Sequence, residues 1–545
     1  MEAIDWLGEA RRRQDALLRD LSSLLAIPSV KDDATTGPGK PRGIESARAL
    51  EWMLGLAARH GFGTANIEGI VGFAEYGGPG SLADDADDSD TGASAEYGGS
   101  TRFAVAGEKR DAADSDGERG YIAMLSHVDV VPAGGEWTSP PFEAAIRDGK
   151  LYARGALDDK GPTIAAYYGL LIVKELGLPM KHRARLIIGT DEETGMHCMD
   201  AYNRHEPAPL AGFTPDADFP IVHAEKGQVN TRLTLVAEEA SGASSAAPDR
   251  GGYGSALRLA GFHSGTAANM VPDAAEAIVQ GSPERLKTLV SDFRAFCFAR
   301  GYDGEAAWTT RGSDSDRAAA LRMAGESAHG MAPETGINAG FRLIEFLSDQ
   351  PLAGDGGRFV RGAAGLLARE TSGEALGIAC RDDTMGALTV NVGLLRYHPD
   401  AGEAFFHLNI RYPSCTDDET IVSTMREKIE PYGFTLTPPD VKRPHEVPAG
   451  HPMVRALQTV YAGQTGQEAK LLTTGGGTYA CKLANCVAFG PLFPGEEDTA
   501  HRPDEWISID SLLRSTALYA EAIYELANLD YSGREVASIH GMEDR

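Results

Sequence analysis

The chain has 545 residues, of which 51 are basic and 79 acidic, and a net charge of −28. A field of that sign repels nucleic acid and anionic membrane surfaces, which excludes both as partners. With 42% hydrophobic and 24% charged residues the composition is globular, and the length points to two to four domains.

The opening stretch, MEAIDWLGEARRRQDALLRDLSSLLAIPSV, is interrupted by charge throughout, unlike a secretory leader. It spaces Ile4, Leu7, Leu17, Leu18, Leu21, Leu24 and Leu25 as one stripe of an amphipathic helix. Two strand-like runs follow, NIEGIVGFAEY and YIAMLSHVDVV, separated by residues 77–120. That separator holds eleven acidic and four basic residues and few aliphatics, so it cannot bury enough surface to order itself. It reads as an insertion at a loop tip, where insertions cost little. Segments 238–255 and 309–317 are smaller versions of it.

From residue 121 the order is strand, loop, helix, strand: YIAML, KLYARG, TIAAYYGLLIVKELGL, ARLIIGT. Such alternation predicts a mainly parallel sheet with covered faces. The apolar run TIAAYYGLLIV is too short to span a bilayer. Near FPIVHAEKG the character changes, and up to about residue 445 strands such as NTRLTLVAEE and FHLNIRYP mix with helices such as SPERLKTLVSDFRAFCFARG. After residue 450 the α/β pattern returns and closes with the helix SIDSLLRSTALYAEAIYELANL. The prediction is an α/β domain built from 1–226 and 448–545, with an α+β domain, 227–447, inserted into it. Six scattered cysteines without a Cys-x-x-Cys pair read as reduced thiols of a cytoplasmic protein.

Polar residues gather at the strand ends. In LSHVDVV, His127 and Asp129 are two apart and so share a face. Asp158-Asp159 precede a helix, Asp191, Glu192 and Glu193 follow a buried-looking strand, TPDADFP carries Asp216 and Asp218, and EEDTAHRPDEW carries His501. Each has an ordinary reading alone: a core histidine, a helix cap, a solvated loop. Together they form a nitrogen and oxygen ligand set suited to zinc, with cobalt or manganese as substitutes. A pair of divalent ions bridged by a carboxylate is a hydrolytic device. It needs one further carboxylate, outside the ligand set, to take a proton, and the Glu192-Glu193 doublet could offer one of each.

The motifs SHVDVVP, ARGALDDKGP, GTDEETG, TPDADFP and DTAHRPDE, in that order, resemble those of the M20 metallopeptidases. The likeness is greatest to the PepV-type, Sapep-like dipeptidases, and it covers nearly the whole chain apart from the acidic insertions. It implies a catalytic zinc-peptidase domain with two zinc ions, His127 and Asp216 on one, Glu193 and His501 on the other, and Asp158 bridging both. It also implies Glu192 as general base, Asp129 as the carboxylate orienting His127, and a cis peptide between Asp158 and Asp159. The inserted domain then resembles a double-size lid, two ferredoxin-like halves that take the place of a dimer partner, which implies a monomer. GESAHGMAPETGINAG resembles the family's lid motif, which implies His329 as oxyanion stabiliser, and the match of TAANMVP and NIRYP to lid residues implies Asn269 and Arg411 as substrate contacts. TTGGGTYA matches a loop whose amides, at Gly475, Gly476 and Gly477, face the substrate's end. Without the resemblance, those glycines are equally a plain turn and Arg411 a surface ion pair. His223 has no metal partner in the pattern and reads as structural.

The reading that follows is a di-zinc peptidase acting on dipeptides with a free N-terminus. Its rivals are an N-acyl amino-acid deacylase or desuccinylase of the same fold, and a non-catalytic, metal-stabilised binding protein. In the family, aspartate at the position of Asp216 accompanies aminopeptidases and dipeptidases, and glutamate accompanies deacylases. A binding protein has no use for Glu192 and His329, and both are present.

Overall fold

The computed structural model describes residues 4–78, 102–103, 120–237, 257–310, 317–367 and 370–531. Most of the acidic segment 77–120, and of 238–255 and 309–317, lies outside the described residues. The chain divides into two compact units, one formed by 1–224, 445–473 and 477–545, the other by 225–444 and 474–476.

The first unit is built on a ten-stranded sheet. Its middle is parallel: Tyr121–His127 lies between Arg183–Gly189 and Ala211–Thr214, and Cys486–Ala488 continues the parallel order beside Ala211–Thr214. Val71–Gly77 then joins Arg183–Gly189 antiparallel, and on the other side Ile221–Glu225 runs antiparallel to Cys486–Ala488. The sheet is therefore mixed: besides the centre, only the edge pair of Gly63–Ile67 with Arg102–Phe103 is parallel among the pairings described. One cause is local. The run NIEGIVGFAEY is not one strand but a hairpin of Gly63–Ile67 and Val71–Gly77. Glu68 and Gly69 turn the chain with φ of 53° and 70°, and a Cβ on Gly69 would sit 2.0 Å from the Gly39 carbonyl oxygen. Only glycine fits there.

The N-terminal stripe likewise forms two helices, Trp6–Arg12 and Gln14–Leu25. Arg13 stands at the break, its guanidinium held by Glu9 at 2.7 Å and Glu175 at 2.6 Å. Leu17, Leu21, Leu24 and Leu25 are all buried, so the apolar stripe still serves the core. The helix Lys160–Glu175 is buried along its length from Lys160 to Val173, with the C-terminal helix Ile509–Asn528 packed along it. Among the described residues no helix is long and apolar enough to cross a membrane.

The second unit is an antiparallel sheet of nine strands with helices Pro283–Arg300, Ala339–Ser348, Gly354–Leu366 and Asp418–Ile429. Pro283–Arg300 shows why the sequence makes these elements. Ser282 caps its start with Pro283 in the first turn, and Gly301, at φ 65°, ends it in the left-handed conformation. Phe293, Phe359, Phe406 and Phe434 are buried in this unit's own core.

Candidate metal centre

The parallel middle of the first sheet gathers the site. His127 is the last residue of Tyr121–His127 and pairs in register with Gly189, immediately ahead of Thr190 and the Asp191–Glu193 loop. Asp216 follows the next strand, Ala211–Thr214, by two residues. All three lie at the carboxyl ends of parallel strands, where open α/β sheets place their ligands. Asp158 comes from the loop before Lys160–Glu175, and His501 from the loop before Trp506–Ser508.

Two clusters that could each hold a metal ion result, His127/Asp158/Asp216 and Asp158/Glu193/His501, and they share Asp158. His127 Nε2 is 3.1 Å from Asp158 Oδ1 and 3.7 Å from Asp216 Oδ2. His501 Nε2 is 3.0 Å from Asp158 Oδ2 and 3.1 Å from Glu193 Oε1. Each carboxylate oxygen of Asp158 therefore serves one cluster. The peptide bond between Asp158 and Asp159 is cis.

The donor set fits zinc. Imidazole and carboxylate ligands held tetrahedrally at about 2.0–2.1 Å from an ion are roughly 3.3 Å from one another. His127 Nε2 is buried without a hydrogen bond. Its other nitrogen, Nδ1, donates to the Asp129 carbonyl at 3.0 Å and lies 3.4 Å from Asp129 Oδ1. That contact puts the proton on Nδ1 and leaves the Nε2 lone pair for a metal.

Asp129 also holds the neighbouring loop. Its two carboxylate oxygens accept from the backbone N–H of Glu192 at 3.2 Å and of Glu193 at 3.1 Å. Glu192 belongs to neither cluster, whereas Glu193 belongs to one. Asp191, the first of the three adjacent acids, is satisfied differently. It is fully buried, pairs with Arg42, and accepts from the Thr194 hydroxyl and, at 3.0 Å, from the His197 backbone N–H.

Crowded carboxylates dominate the electrostatics of the site. Burial pushes the Glu192 carboxyl well up, with Glu193 and Asp158 adding to it. Burial and Asp158 do the same to Glu193 and Asp216. Hydrogen bonds to Asp158 and Glu193 push His501 up to about 11. A cation in each cluster would relieve the repulsion among these carboxylates.

The second unit carries the other expected residues except Gly477. An isolated antiparallel bridge joins Met270 to His329, which brings Asn269 and His329 together. His329 Nδ1 accepts the Met331 N–H at 3.3 Å, so a neutral ring carries its proton on Nε2. Arg411 is not a surface residue. It is 5% exposed and donates from Nε to Asn409 Oδ1 and from Nη1 to the Gly475 carbonyl, both at 2.8 Å. Burial lowers its pKa to about 10, and no carboxylate among the described residues pairs with it. Gly476 donates to Thr474 Oγ1 at 2.9 Å, and Gly477 begins the returning stretch of the first unit. His223 is in neither cluster, and its Nδ1 donates to the Val447 carbonyl at 2.9 Å.

Two residues of these networks have no role in the sequence reading. Asn391 is 1% exposed and donates to the Ala268 and Met270 carbonyls on either side of Asn269, at 2.8 and 3.1 Å. An asparagine inside the apolar strand TVNVGLL was a usable signal. Glu505 is fully buried against the loop that carries Asp158. Nothing in the local pattern of HRPDEW points to that partner.

A family model described as peptidase family M20/M25/M40 matches residues 123–525. The chain is 43% identical over 524 residues to the candidate dipeptidase YtjP of Bacillus subtilis (strain 168), covering 96% of this chain and 100% of that protein. It is 35% identical over 527 residues to the candidate dipeptidase SAUSA300_1697 of Staphylococcus aureus (strain USA300), covering 96% and 99%. Among solved structures it resembles human carnosine dipeptidase 1, with a TM-score of 0.50 at 13% identity, over 96% of this chain and 98% of that one. At that identity the likeness concerns the fold alone.

Proposed function

The chain belongs to peptidase family M20/M25/M40, and from that premise we propose that it is a di-zinc dipeptidase acting on dipeptides with a free N-terminus. The observation that carries the reading is the sharing of Asp158 by the two clusters, one oxygen to each histidine.

In this reading His127, Asp158 and Asp216 would hold one ion, and Asp158, Glu193 and His501 the other. When bound, such a pair makes water acidic and stabilises negative charge developing on a carbonyl oxygen. Glu192 accepts the proton of the attacking water and later delivers it to the leaving amine. Glu192 lies outside both ligand clusters, which leaves its carboxylate available for that proton transfer. Asp129 fixes both the His127 ring and the main chain of the Glu192-Glu193 turn.

The inserted unit is read as the lid, with two ferredoxin-like halves, which its nine-stranded antiparallel sheet and four helices support. Arg411 binds the substrate carboxylate. A buried guanidinium without a carboxylate partner among the described residues supports this, because an uncompensated buried charge is costly and an anionic ligand offsets it. The Met270–His329 bridge, next to Asn269, supports reading Asn269 and His329 as substrate-binding residues, His329 through its Nε2–H.

The test is hydrolysis of one dipeptide and its N-acetylated form by zinc-loaded protein. Cleavage of the free dipeptide alone is expected. Preference for the acetylated form would assign the protein to the deacylases, and cleavage of neither would reject the reading.

A further inference from the structure

We propose that Glu505 is a positioning residue, whose carboxylate locks the loop carrying Asp158 to the loop carrying His501. The inference rests on the reading of Asp158 and His501 as metal ligands.

Glu505 lies four residues beyond His501 and has no exposed surface. Its Oε1 accepts the backbone N–H of Leu157 at 2.8 Å and of Asp158 at 3.1 Å. The Gly155 N–H lies 3.1 Å from both oxygens, and Arg154 Nη1 donates to Oε2 at 2.5 Å. Its own carbonyl accepts the Ala153 N–H at 3.1 Å. Successive backbone N–H groups converging on one point make a concave anion site. Here the anion is a side chain from the far end of the sequence.

The geometry suits only a carboxylate of this length. The turn needs Gly155 at φ 88°, and a Cβ there would sit 3.0 Å from Val130 Cγ1 and 3.2 Å from Lys160 Cδ. A glutamine would aim an N–H₂ at donors, since both oxygens of Glu505 only accept. The far side of the loop is fixed independently, by Lys160 Nζ donating to the Leu24 and Ile27 carbonyls at 3.2 and 2.6 Å.

The His501 side is as constrained. His501 and Asp504 have left-handed φ of 64° and 55°. Asp504 accepts from Thr138 N and Oγ1 at 3.0 and 2.6 Å, and Thr499 Oγ1 accepts the Trp506 N–H at 3.1 Å. Glu505 is the member of this loop that reaches the Asp158 turn, so the two ligands separated by most of the sequence share one mount. It touches no ligand side chain and acts on the metal pair only through the backbone beneath Asp158.

The test uses full-length protein stripped of metal by a chelator and titrated with Co(II), read by calorimetry and by visible absorption. Native protein is expected to bind two ions. Glu505→Gln is expected to bind the second about 10- to 100-fold more weakly, as loss of the partners behind metal ligands does, with altered cobalt absorption bands. Arg154→Met removes the ion pair but leaves the three amide hydrogen bonds, and is expected to keep two ions and native bands. Two ions of native affinity and spectrum in folded Glu505→Gln overturn the proposal. So does an equal loss in Arg154→Met, which would reduce Glu505 to a core ion pair. Should Glu505→Gln not fold, Glu505→Asp decides: it keeps the charge but withdraws it by one methylene, and native affinity and spectrum there overturn the proposal. These readouts need no substrate. Two tightly bound ions without dipeptide cleavage would reject the proposed function and leave the role of Glu505 standing.

Discussion

Asp129 Oδ1 accepts the backbone N–H of Glu192 at 3.2 Å, and through it the strand bearing His127 governs where Glu192 points. The same carboxylate reaches Glu193 and flanks the His127 ring, so one residue touches the ring and both backbone amides of the Glu192-Glu193 turn. Asp129→Asn presents a donor to at least one of these donors. The expected outcome is roughly 10- to 100-fold weaker zinc binding, together with lower kcat. Competition with a colorimetric chelator and steady-state assays measure the two effects.

The two glutamates of the turn should separate by metal content. Glu192→Gln keeps every ligand and loses the proton acceptor, so two zinc ions remain while kcat falls by about 10²- to 10⁴-fold. Glu193→Gln removes a ligand and should lose zinc as well as activity. Elemental analysis of both variants checks this, and equal zinc loss would mean their roles are misassigned.

Metal removal should destabilise the fold. Free zinc at 100 times Kd stabilises by about 2.7 kcal/mol through mass action alone, so Tm should fall on chelation and return with zinc. Asp216→Asn tests the cause. It replaces a partly buried carboxylate crowded by Asp158, so it should raise Tm in the chelated protein and lower it in the zinc-loaded one. The same sign in both states would show that repulsion among these carboxylates is not what the metal relieves.

Arg411 should read the substrate's carboxylate. A charge-assisted hydrogen bond contributes about 1.5–3 kcal/mol, or roughly 10- to 150-fold in kcat/KM. Arg411→Ala is expected to slow dipeptide hydrolysis by that factor and to affect the dipeptide amide much less. Because Arg411 also bonds Asn409 and Gly475, Tm is measured alongside. An equal loss on acid and amide would make Arg411 structural.

The metal-site residues were legible because strand ends and ordered motifs are linear signals. His127, Glu193 and Asp216 each follow an apolar run, and the structure lays those runs side by side. What the sequence concealed depends on partners remote along the chain. Asp191 reads as a third metal-facing acid until Arg42 is found against it, and Glu505 reads as a loop residue until the Asp158 turn closes around it. The sheet's mixed character was hidden for a different reason. Composition marks a strand but not its direction, and one left-handed Glu-Gly turn reversed the chain inside an apparently continuous run.

The burial of Lys160–Glu175 against Ile509–Asn528 sets a schedule for biosynthesis. On the ribosome the first helix emerges long before the second, with all the residues between 175 and 509 still to be translated. At about 5–20 residues per second, its apolar flank waits roughly 20–70 s for its cover. The inserted unit, almost entirely contiguous from 225 to 444, can complete its own core during that interval. Nascent chains stalled after residue 444 should therefore hold a protease-resistant second unit beside a first unit still open to cleavage and to chaperone binding.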